Sequence, residues 1–389
     1  MPTGTRDGPS PAQHPTASGA PEPVPFLDLA AQFEEIRDEL EPALLEVLRT
    51  ATFIGGPNVA AFETAYAQSV GVRSCVGVAN GTDALELALR ALGLGAGDEV
   101  ILPANSFIAT AEAVVRAGAT PVFADALPDV LLLDPASAAA AVTDRTRAIV
   151  PVHLFGQVAP IERYSPIAEA CGAVVVEDAA QAQGATRFGR TAGGLGAIAA
   201  TSFYPGKNLG AAGDGGAVTT DDEKLADTVR TLAAHGSRTK YAHDLVGFNS
   251  RLDALQAVVL DVKLSRLPEW NARRRAAAAY YAELLGGIDE VVLPTVLPGN
   301  EDAWHLYVVR LDERDRVLGE LAAAGIGAGI HYPSPIHRTP AFRDHPRTVP
   351  LTVSETEAPR LLSLPMSPHL TRAQQERVAE ALIAAVRAG

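Results

Sequence analysis

Cysteine is scarce in this chain. Cys75 and Cys171 are the two found in 389 residues, and neither stands in a C-x-x-C. That argues against a disulfide scaffold and against a cysteine zinc site. Positive charge is also in short supply: 32 Lys and Arg face 46 Asp and Glu, a net charge of −14 with His neutral. Such a surface repels a phosphate backbone, so nucleic acid is not the expected partner. No apolar run reaches the 18 residues a membrane span needs. The first 25 residues are rich in Pro, Gly, Ser and Ala and lack the apolar segment of a secretory signal. They read as a disordered tail, and the expected compartment is the cytoplasm.

Familiar catalytic motifs are missing too. There is no H-E-x-x-H, no G-x-S-x-G and no H-x-E with P-C-x-x-C, which leaves metal hydrolysis and serine nucleophiles without a handle. Gly206-Lys207 is not a phosphate-binding P-loop, because Thr201 and Asn208 occupy the flanking Gly and Ser/Thr positions. Gly194-Leu195-Gly196-Ala197-Ile198-Ala199 fits G-x-G-x-x-A, but a strand follows it where a dinucleotide fingerprint needs a helix.

What remains is an ordinary globular composition, 47% apolar and 20% charged, with length for about two or three folding units. Order is expected from Phe26. Leu29, Phe33, Ile36, Leu40, Leu44, Leu45 and Leu48 fall near helical spacing, so 29–49 reads as helix, and 59–70 as another. Strands and helices then alternate from Cys75 to Glu177-Asp178, which predicts an α/β unit with a mainly parallel sheet covered on both faces. In such sheets ligands collect beyond the carboxyl ends of the strands. Strands at 198–204 and 216–219 flank a Gly-rich loop. From 252 to about 285 the chain reads as mostly helical, with an apolar-striped helix over 253–267 that Pro268 is expected to interrupt. Strands at 303–312 and 329–332 and helices at 315–324 and 372–388 make a smaller α+β unit. The division expected is a tail over 1–25, a large domain over 26–265 and a small C-terminal domain over 266–389.

Four sets of residues could carry chemistry. Lys207 sits in an apolar stretch between a strand end and the Gly-rich loop. Burial would lower its pKa and free its lone pair for condensation with an aldehyde. At an ordinary pKa only roughly one lysine in two thousand is neutral at pH 7. The bland alternative is an exposed loop lysine. Asp178 ends an apolar strand, where a carboxylate can keep a pyridine nitrogen protonated or merely cap a turn. Gly81-Thr82-Asp83 opens a helix whose free N–H groups suit a phosphate, or Thr82 or Asp83 simply caps it. Phe107 could stack on a planar ring or belong to the core.

Five stretches in order make the pattern specific: Asn80-Gly81-Thr82-Asp83-Ala84-Leu85, Glu177-Asp178-Ala179-Ala180-Gln181-Ala182, Ser202 to Lys207 with Asp214-Gly215-Gly216, Gly247-Phe248-Asn249-Ser250-Arg251-Leu252-Asp253, and Gly329 to His337. Together they resemble the DegT/DnrJ/EryC1/StrS family of pyridoxal-phosphate-dependent nucleotide-sugar aminotransferases, from about Pro25 to the C-terminus. The resemblance implies the aspartate-aminotransferase-like fold type I and pyridoxal 5'-phosphate as cofactor. It implies that Lys207 forms the imine link and moves protons, that Asp178 pairs with the pyridine nitrogen, and that Gln181 meets the phenolic oxygen. Phe107 would stack on the ring. Gly81, Thr82, Asp83 and Ser202 would cradle the phosphate, and Asn249 would be lent to it by a second subunit, so a homodimer with shared sites is implied. A related dehydrating branch has His at the lysine position, and Lys207 places this chain with the aminotransferases. The implied substrate is a nucleotide-linked keto-deoxysugar, most like a dTDP-3-keto-6-deoxyhexose aminated at C3, with glutamate as donor, in deoxysugar and antibiotic biosynthesis. Amination at C4, or a cofactor-binding regulator without turnover, are the alternatives. His331, Tyr332 and His337 are the candidate sugar contacts. Phe155 stands where many relatives carry Tyr, which matters if that position meets the sugar.

Overall fold

A computed structural model describes residues 22–239, 241–345 and 349–388. The chain enters through α1 (Leu29–Thr50), capped by Asp28, whose carboxylate accepts from the Ala31 N–H at 2.8 Å. Ile36, Leu40 and Val47 bury one face of α1. They pack with Ala254, Val258 and Trp270 of α8 (Ala254–Leu285). The α2 helix (Gly56–Val70) follows.

The central sheet then forms from β1 (Ser74–Val78), β2 (Glu99–Pro103), β3 (Thr120–Ala124), β4 (Thr146–Ile149), β5 (Val174–Asp178), β6 (Ile198–Ser202) and β7 (Gly216–Thr220). Their spatial order is β1-β7-β6-β5-β4-β2-β3. β7 pairs antiparallel with both β1 and β6, and all other pairs are parallel. The expected mainly parallel sheet is therefore present, with one reversed strand. Strands such as β2 are buried along their whole length, as a sheet covered on both faces requires. The connecting helices are α3 (Gly81–Ala91), α4 (Ala109–Ala117), α5 (Pro135–Ala140) and α6 (Ile161–Cys171). α7 (Glu223–Ala233), which the sequence reading passed over, is capped by Asp222 and buries Ala226, Val229, Leu232 and Ala233 at helical spacing.

The second, smaller core lies around the antiparallel pair β8 (Tyr307–Arg310) and β9 (Leu361–Leu364), under α9 (Arg314–Ala323), α11 (Arg372–Arg387) and the second half of α8. The short α10 (Thr352–Glu357) precedes β9.

The structure differs from the sequence reading in three places. Helix α8 does not break at Pro268 but runs through it for 32 residues. The missing N–H costs about 3 kcal/mol, yet Leu267 and Trp270 are buried on either side and hold the helix. The division expected at 265 thus falls inside a helix that serves both cores. Residues 330–332 form no strand. Only Gly329 bridges to Ser363, and beyond it the side chains of His331 and Tyr332 bond to Ser363 and Gln181. Finally, the expected tail mostly lies outside the described residues, but 22–25 are in place. Val24 is buried and bridges Ile326, and its N–H donates to the Gly325 carbonyl at 2.9 Å.

Candidate active site

Four strand ends converge on one edge of the sheet. β1 leads into α3, β2 into the turn bearing Phe107, β5 ends on Asp178, and β6 ends on Ser202 before Lys207. They open on a cavity of about 800 Å³. Gly81, Thr82, Phe107, Asp178, Gln181, Ser202, Lys207, His331 and Tyr332 all line it.

The N-terminus of α3 meets the cavity through its first turn. The cap is Asn80, whose side chain accepts from the Asp83 N–H at 2.8 Å. Thr82 is thereby released from capping, contrary to one alternative above, and lines the cavity with Ser202. Among the described residues, the N–H groups of Gly81 and Thr82 donate to no acceptor. Two free donors and a helix dipole form an anion seat. Gly81 is needed for close approach: a Cβ there would lie 2.5 Å from the Cβ of Ser202. Gly81→Ala is expected to lose about 1–3 kcal/mol of stability by overpacking and to weaken anion binding, read by thermal unfolding with and without phosphate ligand.

Asp178 is buried and firmly held. Its Oδ2 accepts from the Thr110 hydroxyl at 2.8 Å and its Oδ1 from the Ala180 N–H at 3.1 Å. Burial raises its pKa, opposed by those two bonds and by the charge of Lys207. Lys207 is pushed down to about 8 by desolvation, with Asp178 pulling the other way. Burial outweighs the mutual attraction in both groups. Roughly a tenth of Lys207 is then neutral at pH 7, against one in two thousand for an exposed lysine. Site-resolved acylation of the free protein should show Lys207 gaining reactivity as pH rises through about 8, and a midpoint above 10 would contradict this environment.

Behind Asp178, Glu177 and His153 form a buried pair at 2.7 Å. His153 Nδ1 accepts from the Ala159 N–H, so Nε2 donates to Glu177, which also accepts from the N–H groups of Gly193, Leu195 and Gly196. This anchors the end of β5.

Gln181 Oε1 accepts from the Phe155 N–H at 2.7 Å and its Nε2 donates to the Tyr332 hydroxyl at 2.9 Å. His331 Nδ1 lies 2.8 Å from Ser363 Oγ, and its ring stacks on Phe26.

Two expected site residues, Asp83 and His337, fall elsewhere. Asp83 does not line the cavity: its carboxylate takes the Ser250 hydroxyl at 2.8 Å and Arg116 at 3.1 Å. A carboxylate would also repel a phosphate. His337 is fully buried against Phe123, with Nε2 2.8 Å from Glu355, so it is no sugar contact on this chain. Asn249, expected to serve a second subunit's site, is exposed, accepts from Arg251 at 2.8 Å and does not line the cavity of its own chain. Phe155 lies outside the cavity too, packed near Leu131 and Leu306. Residues the sequence reading missed also line it: Phe26, Leu27, Tyr204, Asp214 and His305. Tyr204 and Asp214 stand inside quoted motifs but were given no role, and no motif flagged Phe26, Leu27 or His305, because their places depend on the N-terminal segment and the second core folding back on the sheet.

The profile of the DegT/DnrJ/EryC1/StrS aminotransferase family matches residues 34–383. A dTDP-3-amino-3,4,6-trideoxy-alpha-D-glucose transaminase of Streptomyces venezuelae is 46% identical over 360 residues, covering 92% of this chain and 95% of the relative. The solved structure of S. venezuelae DesV in complex with a ketimine intermediate superposes with a TM-score of 0.91 at 46% identity, covering 94% of this chain and 98% of that one. NtdA from Bacillus subtilis, solved with bound cofactor PMP, gives a TM-score of 0.87 at 32% identity over 95% of this chain and 86% of its own.

Proposed function

The chain belongs to the DegT/DnrJ/EryC1/StrS aminotransferase family, and from that premise we propose that it aminates C3 of a nucleotide-linked keto-deoxysugar in deoxysugar biosynthesis. The observation that carries the reading is the meeting of Lys207, Asp178 and the free helix N-terminus of α3 in one cavity. Pyridoxal 5'-phosphate is the cofactor, and when bound it supplies the aldehyde and the electron-drawing ring that amino transfer needs.

The donor set fits that group. Gly81, Thr82 and Ser202 would hold its phosphate, with two unpaired N–H groups and two hydroxyls. Asp178 would keep the ring nitrogen protonated, its other bonds already made to Thr110 and Ala180. Gln181 would reach the phenolic oxygen and Phe107, half of it exposed here, would cover the ring. Lys207 would carry the proton to and from the reacting carbon, a task suited to an amine whose pKa is near 8. His331 and Tyr332 would bound the sugar.

Two further parts complete the reading. The amino donor is taken to be glutamate. The assembly is taken to be a homodimer in which Asn249 serves the partner's site. Leu29, Phe33, Leu45, Leu48, Phe53 and Ile54 are exposed along α1 and the turn after it, an apolar surface that a second copy would cover. No helix among the described residues is long and apolar enough to cross a membrane, and action in the cytoplasm belongs to the same reading.

Borohydride reduction of the cofactor-loaded protein should fix the label on Lys207, read by peptide mass. Glutamate should then shift the cofactor spectrum to its amine form, and a panel of dTDP-keto-sugars should collect nitrogen at C3. Label on another lysine would sink the site. Nitrogen at C4 would favour the alternative position. Cofactor binding with no conversion by any amino acid would favour a regulator.

A further inference from the structure

His305 has no role in the scheme above, yet it lines the same cavity as Lys207, close enough for the lysine's charge to act on its ring. A relay of buried amides fixes which ring nitrogen carries the proton. Asn271 Nδ2 donates to the Gln183 carbonyl at 2.8 Å, which leaves its Oδ1 to accept. Asn208 Nδ2 donates to that oxygen at 2.9 Å and to the Ala303 carbonyl at 2.7 Å. Backbone carbonyls only accept, so neither amide can be turned over without losing bonds. Asn208 therefore presents Oδ1 to His305 Nδ1 at 3.2 Å, and the proton sits on Nδ1. Nε2 keeps its lone pair and has no hydrogen-bond partner among the described residues.

The backbone bearing this ring is held on several sides. The N–H groups of Ala303 and Leu306 each donate at 3.0 Å, to the carbonyls of Gly156 and Phe155. Buried Arg274 donates to the carbonyls of Trp304 and His305 at 3.1 and 3.4 Å. A Cβ on Gly156 would lie 2.6 Å from the His305 nitrogen, so the two segments are in close contact. Burial, then the charges of Lys207 and Arg274, then His331 all oppose protonation of the ring, which stays neutral at pH 7.

We infer that His305 is a specificity-determining residue: its Nε2 accepts a hydrogen bond from a hydroxyl of the keto-sugar. The inference rests on the transaminase reading. Neighbouring polar walls are already engaged: Gln181 at both ends, Thr110 with Asp178, His331 Nδ1 with Ser363. A nitrogen that only accepts repels the carboxylate oxygens of an amino-acid donor and takes the O–H that a sugar brings. His305 thus acts in the sugar half of the reaction.

The two halves separate the claims. Conversion of the wild-type cofactor by glutamate, followed by absorbance, checks the transaminase reading alone. Given that conversion, His305→Phe is expected to lower kcat/KM for the keto-sugar roughly 10- to 100-fold more than it lowers the glutamate rate. In a series of keto-sugars each lacking one hydroxyl, one analogue should cost the wild type a similar factor and the variant nothing further. An equal loss in the glutamate half, or an added loss with every analogue, overturns the inference. Nitrogen-15 NMR of the wild-type histidines at neutral pH, assigned with His305→Gln, must show Nδ1 protonated and Nε2 bare. A protonated Nε2 overturns it even if His305→Phe does not fold.

Discussion

Lys207→Ala is expected to turn over about 10⁴-fold more slowly than the wild type, the upper end of what a positioned proton-transfer residue contributes. The phosphate seat on α3 and the carboxylate of Asp178 do not depend on this side chain, so the cofactor should still bind, by dialysis-resistant absorbance. Stability should move the other way. Lys207 has a folded pKa of about 8 against 10.5 when free. The unfolded chain therefore binds more protons between those values, and the folded state gains stability as pH rises through that window. Below about pH 8 the buried amine opposes folding in full, so its removal should raise the melting temperature of the cofactor-free protein at pH 7. A variant that is inactive and also less stable at pH 7 would contradict this account.

Asp178→Asn is expected to lower kcat by 10- to 1000-fold with a smaller change in KM. The size follows from the 1–3 units by which an adjacent opposite charge shifts a pKa, about 1.4–4 kcal/mol. Asparagine keeps the shape, and its Oδ1 can still accept from Ala180, but it offers no charge to hold a proton on a ring nitrogen. The burial that raises the Asp178 pKa in the protein alone must be overcome by the bound cationic ring. Steady-state rates across pH, beside a glutamate-binding titration, distinguish lost charge from lost binding. Unchanged kcat would remove Asp178 from the chemistry.

Much of this was legible in the sequence, for local reasons. Apolar strands ending in Glu177-Asp178 and in Ser202, and a Gly-Thr pair opening a helix, announce themselves because each sits where a strand or helix terminates. The sequence was less informative where placement depends on distant partners. Pro268 looked like a stop until Leu267 and Trp270 were seen to be buried. His337 looked like a ligand because it closes the Gly329 to His337 stretch, yet the short helical turn at Ile336–Arg338 carries it to Glu355. His305 was invisible because its meaning lies in Asn208, Asn271 and two carbonyls from other parts of the chain. Asp83 carried a plausible label, but Ser250 and Arg116, far along the sequence, claim its oxygens.

The reversed strand β7 has a consequence for how this protein can change. Its register with β6 joins Ser202 to Gly216, so the segment carrying Lys207 is a loop with a sealed mouth. Whatever side chain occupies position 207, the ladder on either side closes without it. Reactivity and architecture are thereby inherited separately, and a lineage could trade one chemistry for another at this spot without rebuilding the scaffold.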